Sequence, residues 1–169
     1  MTEPSWLAVA RRYLGVAEIK GPHHNPTILK MLDRADGKVD GKPLQGIRDD
    51  EVPWCASFTS AVLEEVGVVS ARSAWARSYL NWGKALKQAV PGAIVVLDRG
   101  QGRGHVFFAI GRDARGNIVG IGGNQKDAVT IASFAPSRVI GIRWPSNLAI
   151  PAGGLPLVSS TGKVSTNEA

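Results

Sequence analysis

The chain has 169 residues, 44% of them hydrophobic, which matches the size and apolar content of one domain with a substantial core. Lys and Arg number 20 against 14 Asp and Glu, giving a net charge of +6 and a pI near 9.8, a balance suited to an anionic partner such as nucleic acid, wall polymer or lipopolysaccharide. The basic residues are scattered without interleaved aromatics, no apolar run reaches the roughly 18 residues of a membrane span, and the first residues hold no unbroken apolar stretch; a nucleic-acid partner, a membrane span and a Sec-type signal are therefore not expected.

Behind Thr2-Glu3-Pro4-Ser5, the apolar residues Trp6, Leu7, Val9, Ala10, Tyr13 and Leu14 recur at helical spacing and predict a first helix ended by Gly15. Pro26 to Leu32 predicts a second, short helix with Pro26 in its first turn. Asp33 to Glu51, rich in Asp, Gly and Lys, reads as a loop or small hairpin. From Cys55 onward, Phe58, Ala61, Val62 and Val66 line one face of a third helix, with Gly67 where a C-terminal cap belongs. A fourth helix is expected over Ser73 to Leu86. The period then changes. Ala93 to Leu97, His105 to Ile110, Asn117 to Ile121, Val129 to Ser133 and Val139 to Trp144 are short β-rich runs between Gly, Asp or Pro turns, which predicts an antiparallel sheet. Helices first and strands afterwards define an α+β domain over residues 1–145, and the Ser/Gly/Pro-rich remainder, 146–169, reads as a tail that composition alone leaves mobile.

Three residues stand where chemistry could be carried. Cys55 is the single cysteine, so no internal disulfide can form, and it lies at a helix start where the dipole and free backbone N–H groups stabilise a thiolate and can hold an oxyanion. Pro53-Trp54 stops any earlier helix from running through it. His105 opens a strand after the glycine-laden turn Gly100 to Gly104, a placement from which a base can meet substrate unobstructed. Asn124 follows Gly122-Gly123, where its amide oxygen could accept from the far nitrogen of His105 and set the imidazole tautomer, although Asn after Gly-Gly is also an ordinary turn residue. A metal site is disfavoured: His23 and His24 are adjacent, and neither pairs with Cys55 or His105 at a recognised ligand interval. No cofactor is called for.

Read together, Pro53-Trp54-Cys55-Ala56-Ser57-Phe58, Gly104-His105-Val106-Phe107-Phe108, Gly122-Gly123-Asn124-Gln125 and Arg138 to Pro145 resemble a phage-associated family of small cysteine hydrolases. That family is related to the CHAP and NlpC-type peptidoglycan amidases and endopeptidases. Leu14 to Glu18, Asn25 to Leu29 and Ala76 to Gly83 fit the same pattern, so the likeness covers residues 5 to 145. It implies a papain-like fold, peptidoglycan as partner, and amide cleavage by Cys55 as nucleophile, His105 as base and Asn124 as the orienting residue. Trp54, Gly104 and Gln125 would contact substrate in an open groove, with Trp75 and Trp82 as further walls. Many CHAP members carry a glutamate two residues before that asparagine, and here Gly122 stands in its place. Some bind calcium near the Asp33 to Glu51 segment, but Asp33, Asp36 and Asp40 lack the alternate spacing of a calcium loop.

The resemblance implies either an endolysin, held in the host cytoplasm until a holin releases it to the periplasm and wall, or a lysin of the virion tail. A non-catalytic structural or wall-binding phage protein of the same fold is the alternative. The tail offers Ile150, Leu155, Leu157 and Val158 as apolar anchors for a phage structural protein, with self-packing as the other outcome.

Overall fold

The computed structural model describes residues 3–34, 38–39, 42–43, 49–159 and 164–166. Helices α1 (Ser5–Arg12), α2 (Pro26–Arg34) and α3 (Cys55–Glu65) precede a six-stranded antiparallel sheet; between α2 and α3 lies the small hairpin β1 (Lys38–Val39) and β2 (Lys42–Pro43). The sheet is built from β3 (Lys84–Ala85), β4 (Ile94–Asp98), β5 (Gly104–Arg112), β6 (Ile118–Gly122), β7 (Thr130–Phe134) and β8 (Val139–Trp144), in the order β3-β8-β4-β5-β6-β7. This is the α+β architecture read from the sequence, and each of the five predicted strands is present. Asp36 and Asp40 lie outside the described residues.

The expected helix over Ser73 to Leu86 is replaced by a short 3-10 helix, Ala76–Asn81, followed by strand β3. Two tertiary demands override the helical spacing. Tyr79 must be fully buried with its hydroxyl 2.8 Å from Ser60 Oγ, and Gly83 turns at φ +60° so close to β8 that a Cβ there would lie 2.2 Å from the Trp144 carbonyl oxygen.

Helix α3 has buried residues all along Cys55 to Leu63 and packs against α1, α2, β5 and β6. Phe58 meets Phe108 edge-on at 6.2 Å, and Tyr13 meets Phe58 in the same way. On the other face of β5, Phe107 stacks on Phe134 of β7 at 4.3 Å between ring centres. Strand β6 between them supplies space rather than bulk, since a Cβ on Gly120 would lie 2.0 Å from Phe107 Cδ2.

The tail turns back onto its own domain. The chain at β5's C-terminal end exceeds its pairing with β4, which leaves backbone groups of Arg112 available, and the tail fills them: Arg112 N–H donates to Pro156 O at 2.8 Å and Val158 N–H to Arg112 O at 2.9 Å. Further on, Ser165 N–H donates to Ser133 O on edge strand β7 at 2.7 Å. Composition could not foresee this order, because it comes from unpaired strand groups and not from apolar content. Of the four anchors expected to meet a partner, Leu155 and Val158 pack on the domain's own core, whereas Ile150 and Leu157 are exposed.

Gly120→Ala should destabilise the fold by about 1–3 kcal/mol through overpacking against Phe107. Urea denaturation checks this. An unchanged midpoint would mean that the β5–β6 interface can relax by the width of a methyl group.

Candidate active site

Helix α3 begins at Cys55 because Trp54, at φ −124° and ψ 14°, sits outside helical geometry and Pro53 precedes it. The residues before it are tied down. Buried Asp50 accepts the backbone N–H of Ile19 at 2.9 Å and of Asn25 at 2.7 Å, and its second oxygen lies 2.8 Å from His24 Nδ1. Burial opposes the charge of Asp50, but these donors outweigh it and hold the carboxyl below its usual range. Asn25 caps α2 by accepting from Thr27 N–H and donates from Nδ2 to Ala17 O. The α2 start, the 17–19 segment and the approach to Cys55 are thereby one hydrogen-bonded unit. His24, Asp49 and Asp50 bring potential ligand atoms within 4.8 Å of one another, but the Asp50 oxygens are already engaged by these donors.

The thiol of Cys55 is recessed, the residue being 5% exposed. Burial pushes the thiol above its ordinary value; the backbone N–H groups of Val106 and Ala56 and the charge of Arg99 pull the other way without winning. Burial thus opposes the thiolate that the helix start favours. The same interactions set the thiol against Val106, the residue after His105, which brings the start of α3 to the start of β5.

His105 is 1% exposed, with its ring 5.9 Å from that of Phe107 and 5.7 Å from that of Phe134. The open groove expected around it is thus a narrow approach. Its Nε2 lies 3.0 Å from Gln125 Oε1. The orientation of the Gln125 amide is decided by Thr130, because Gln125 Nε2 donates to Thr130 O at 2.8 Å and to Thr130 Oγ1 at 3.1 Å. The oxygen must therefore face His105, and His105 must present Nε2–H to it. That hydrogen bond fixes the tautomer and leaves Nδ1 with its lone pair.

The side chain that meets His105 Nε2 is thus Gln125, where Asn124 was expected. The register of β5 with β6, in which Phe108 faces Ile121, would set residue 124 opposite His105 if both strands continued. β6 ends at Gly122, however, and Asn124 turns at φ +56°, which swings the following residue back to the histidine. Gly122 makes this possible, since a Cβ there would lie 2.4 Å from Gln125 Oε1. The amide oxygen of Gln125 occupies the space that a side chain at 122 would claim.

Of the residues expected to contact substrate, Trp54 and Gln125 are buried and Gly104 is partly covered. Gln125 is buried and fully engaged. Trp54 is wholly buried, donating its indole N–H to Glu18 Oε1 at 2.8 Å, so it packs the site from below. Gly104 is covered by Arg77 and Ala76, whose Cγ and Cβ lie 3.1 and 3.5 Å from where its Cβ would stand. Trp82 donates to Val69 O and is half-buried; Trp75 is exposed. Glu18 emerges as a residue of the site's floor. Its carboxyl is raised by burial against the Trp54 hydrogen bond, which lowers it, and no local motif marks that role in the sequence.

A helix-start thiol set against the strand residue that follows a histidine, whose Nε2 is held by an amide, in an α+β domain, defines the papain-like class. Residues 47–124 match the sequence model of the CHAP domain family. CHAP domains as a class act on peptidoglycan as cysteine amidases or endopeptidases. No curated protein matches the chain significantly.

Two measurements follow. Because burial raises the Cys55 thiol, iodoacetamide should modify it more slowly than free cysteine at pH 7, with the rate still climbing at pH values where free cysteine has levelled off; mass spectrometry of the modified protein gives the profile. Glu18, with a folded pKa raised above its ordinary 4.5, contributes stability that is full below that value and is lost as pH rises through the folded pKa. Glu18→Gln keeps an acceptor for Trp54, so it should raise Tm at pH 7 and leave it unchanged near pH 4; equal shifts at both pH values would contradict the burial effect.

Proposed function

We propose that this protein is a peptidoglycan hydrolase that cleaves an amide bond of the wall peptide, with Cys55 as nucleophile, His105 as base and then acid, and Gln125 as the residue that positions His105. The observation that carries the reading is the Gln125 amide locked by Thr130, because its oxygen accepts from His105 Nε2–H and so selects the tautomer in which Nδ1 is the basic nitrogen. As the Cys55 sulfur attacks the carbonyl carbon, its proton passes to His105 Nδ1, so charge forms only during attack, consistent with the raised thiol. Backbone N–H groups at the start of α3 receive the developing oxyanion. The C–N bond then breaks as Nδ1 returns the proton to the amine. Water, deprotonated by the same nitrogen, releases the acyl group and regenerates the thiol. An N-acetylmuramoyl-L-alanine amidase and an endopeptidase would use identical steps.

The likeness of the motifs to phage-associated hydrolases supports a phage-encoded lysin, acting either from the host cytoplasm after holin-dependent release to the wall or from the virion tail. In this reading residues 1–145 form the catalytic unit. The extension 146–169 keeps Ile150 and Leu157 exposed for a structural partner while Leu155 and Val158 pack inward. The recessed thiol favours one alternative, a wall-binding protein of the same fold without turnover.

Mass spectrometry of muropeptides released from purified sacculi separates these readings and identifies the bond. Cys55→Ala should abolish release while unfolding stays cooperative. His105→Ala should lower kcat by about 10²–10⁴. Gln125→Ala should cost more than tenfold in kcat, whereas Asn124→Ala should remain near wild type; the reverse order would return the positioning role to Asn124.

A further inference from the structure

A cleft of ≈ 640 Å³ lies at the C-terminal end of α3, and the hydrolytic steps do not use it. Helix α3 has 11 residues and Cys55 is its first, so the cleft stands about 15 Å along the helix from the thiol. Its walls come from the start of α1, the turn after α3, Trp82-Gly83 and the segment after β8. Three of these walls are tied by hydrogen bonds. Gly67 turns at φ +76° and Val68 N–H donates to Leu63 O at 3.0 Å, which closes the end of α3, and Ser70 N–H donates to Glu64 Oε1 at 2.9 Å. Trp82 donates its indole N–H to Val69 O at 2.9 Å and packs edge-on against Tyr79. After β8, Lys84 Nζ donates to Leu148 O at 2.8 Å and Leu148 N–H to Pro145 O at 3.2 Å. The cleft therefore has its shape before a ligand arrives.

Its chemistry is neutral. The chain carries a net charge of +6, yet none of the described residues that line the cleft is charged. Trp82, Val68 and Val69 supply apolar surface, and because the Trp82 N–H is spent on Val69, the indole offers the cleft its ring alone. Ser5, Ser146 and Asn147 add two hydroxyls and an amide from exposed positions. We infer that this cleft binds a neutral sugar ring of the wall glycan, stacked on Trp82 and hydrogen-bonded by Ser5, Ser146 and Asn147. A sugar ring has an apolar C–H face and a rim of hydroxyls that donate and accept, which complements an indole beside hydroxyl and amide groups. An apolar side chain seated there would leave those polar groups without partners, and an anion would meet no cation among the lining residues. The choice of a wall glycan rests on the proposed function, whereas the choice of a neutral ring rests on the lining. Because the cleft is remote from the thiol, it holds the polymer without touching the bond that is cut, and so strengthens binding without changing the chemical step.

The test titrates the isotope-labelled full chain with the tetramer of N-acetylglucosamine, a neutral oligosaccharide, and follows the indole and side-chain amide signals by NMR; the Trp82 indole is the signal missing from Trp82→Phe. The Trp82 indole and the Asn147 amide should shift and saturate together. Asn147→Ala should weaken binding about two- to tenfold, and Ser146→Tyr, which fills the cleft from an exposed position, should abolish it. On purified sacculi, Ser146→Tyr should raise the substrate concentration needed for half-maximal release and leave the rate at saturation unchanged. If Ser146→Tyr does not fold, Asn147→Ala decides both measurements. An unmoved Trp82 indole, binding unaffected by these substitutions, or saturation of the same signals by a sugar-free wall peptide would overturn the sugar site. If the tetramer binds at Trp82 while the protein releases nothing from sacculi, the sugar site stands and the hydrolase reading falls; if sacculi are cleaved while the tetramer leaves Trp82 unmoved, the reverse holds.

Discussion

The arrangement around His105 depends on three positions without side chains, Gly120, Gly122 and Gly123. Added Cβ atoms there would collide in turn with the Phe107 ring, the Gln125 amide oxygen, and Phe58 together with Trp54. One short stretch of backbone thereby accepts the β5 aromatic, the positioning amide and the α3 helix at distances no other residue allows. The close approach of α3 to β5 follows from this, and with it the position of the Cys55 thiol at Val106, the residue after His105. A side chain at 122 would need the space that Gln125 fills.

Rigidity and electrostatics here have a common origin in burial. His105 lies against the stacked Phe107 and Phe134 rings with almost no exposed surface, which restricts its ring to one orientation. The same dryness raises the Cys55 thiol despite three backbone donors and a nearby arginine. A neutral thiol beside an oriented histidine avoids the cost of a buried charge at rest and develops charge only when substrate arrives. The price is narrow access. Asp50 shows the opposite balance, where three donors outweigh burial and keep a charge inside the segment that leads into α3.

The tail illustrates how backbone demand can order a segment of low apolar content. Strand β5 extends past its partner β4, and β7 is the sheet's edge; both leave hydrogen-bonding groups that residues 156, 158 and 165 satisfy. Gly111 lets Val158 approach, since a Cβ there would lie 2.6 Å from Val158 Cγ1. Covering an edge strand in this way also blocks pairing with another chain along that part of β7.

Local chemistry determined much of this protein in advance. The helical spacing after Cys55, the Pro53-Trp54 stop, the alternating strands and the Gly-rich turn before His105 each act over a few residues, so the α+β order, the helix-start cysteine and the strand-start histidine were legible in the sequence. The 3-10 helix at Ala76–Asn81 was not, because burial of Tyr79 and the crossing of β8 at Gly83 are demands made by distant parts of the chain. The same holds for Gln125 against Asn124. Both are amides beside a Gly-Gly pair, and only the end of β6, the left-handed turn at Asn124 and the anchoring by Thr130 decide which one reaches His105. Thiol electrostatics, too, were a tertiary decision: a helix start lowers a cysteine's pKa by a local field, while burial, which prevails here, is a property of everything packed around it.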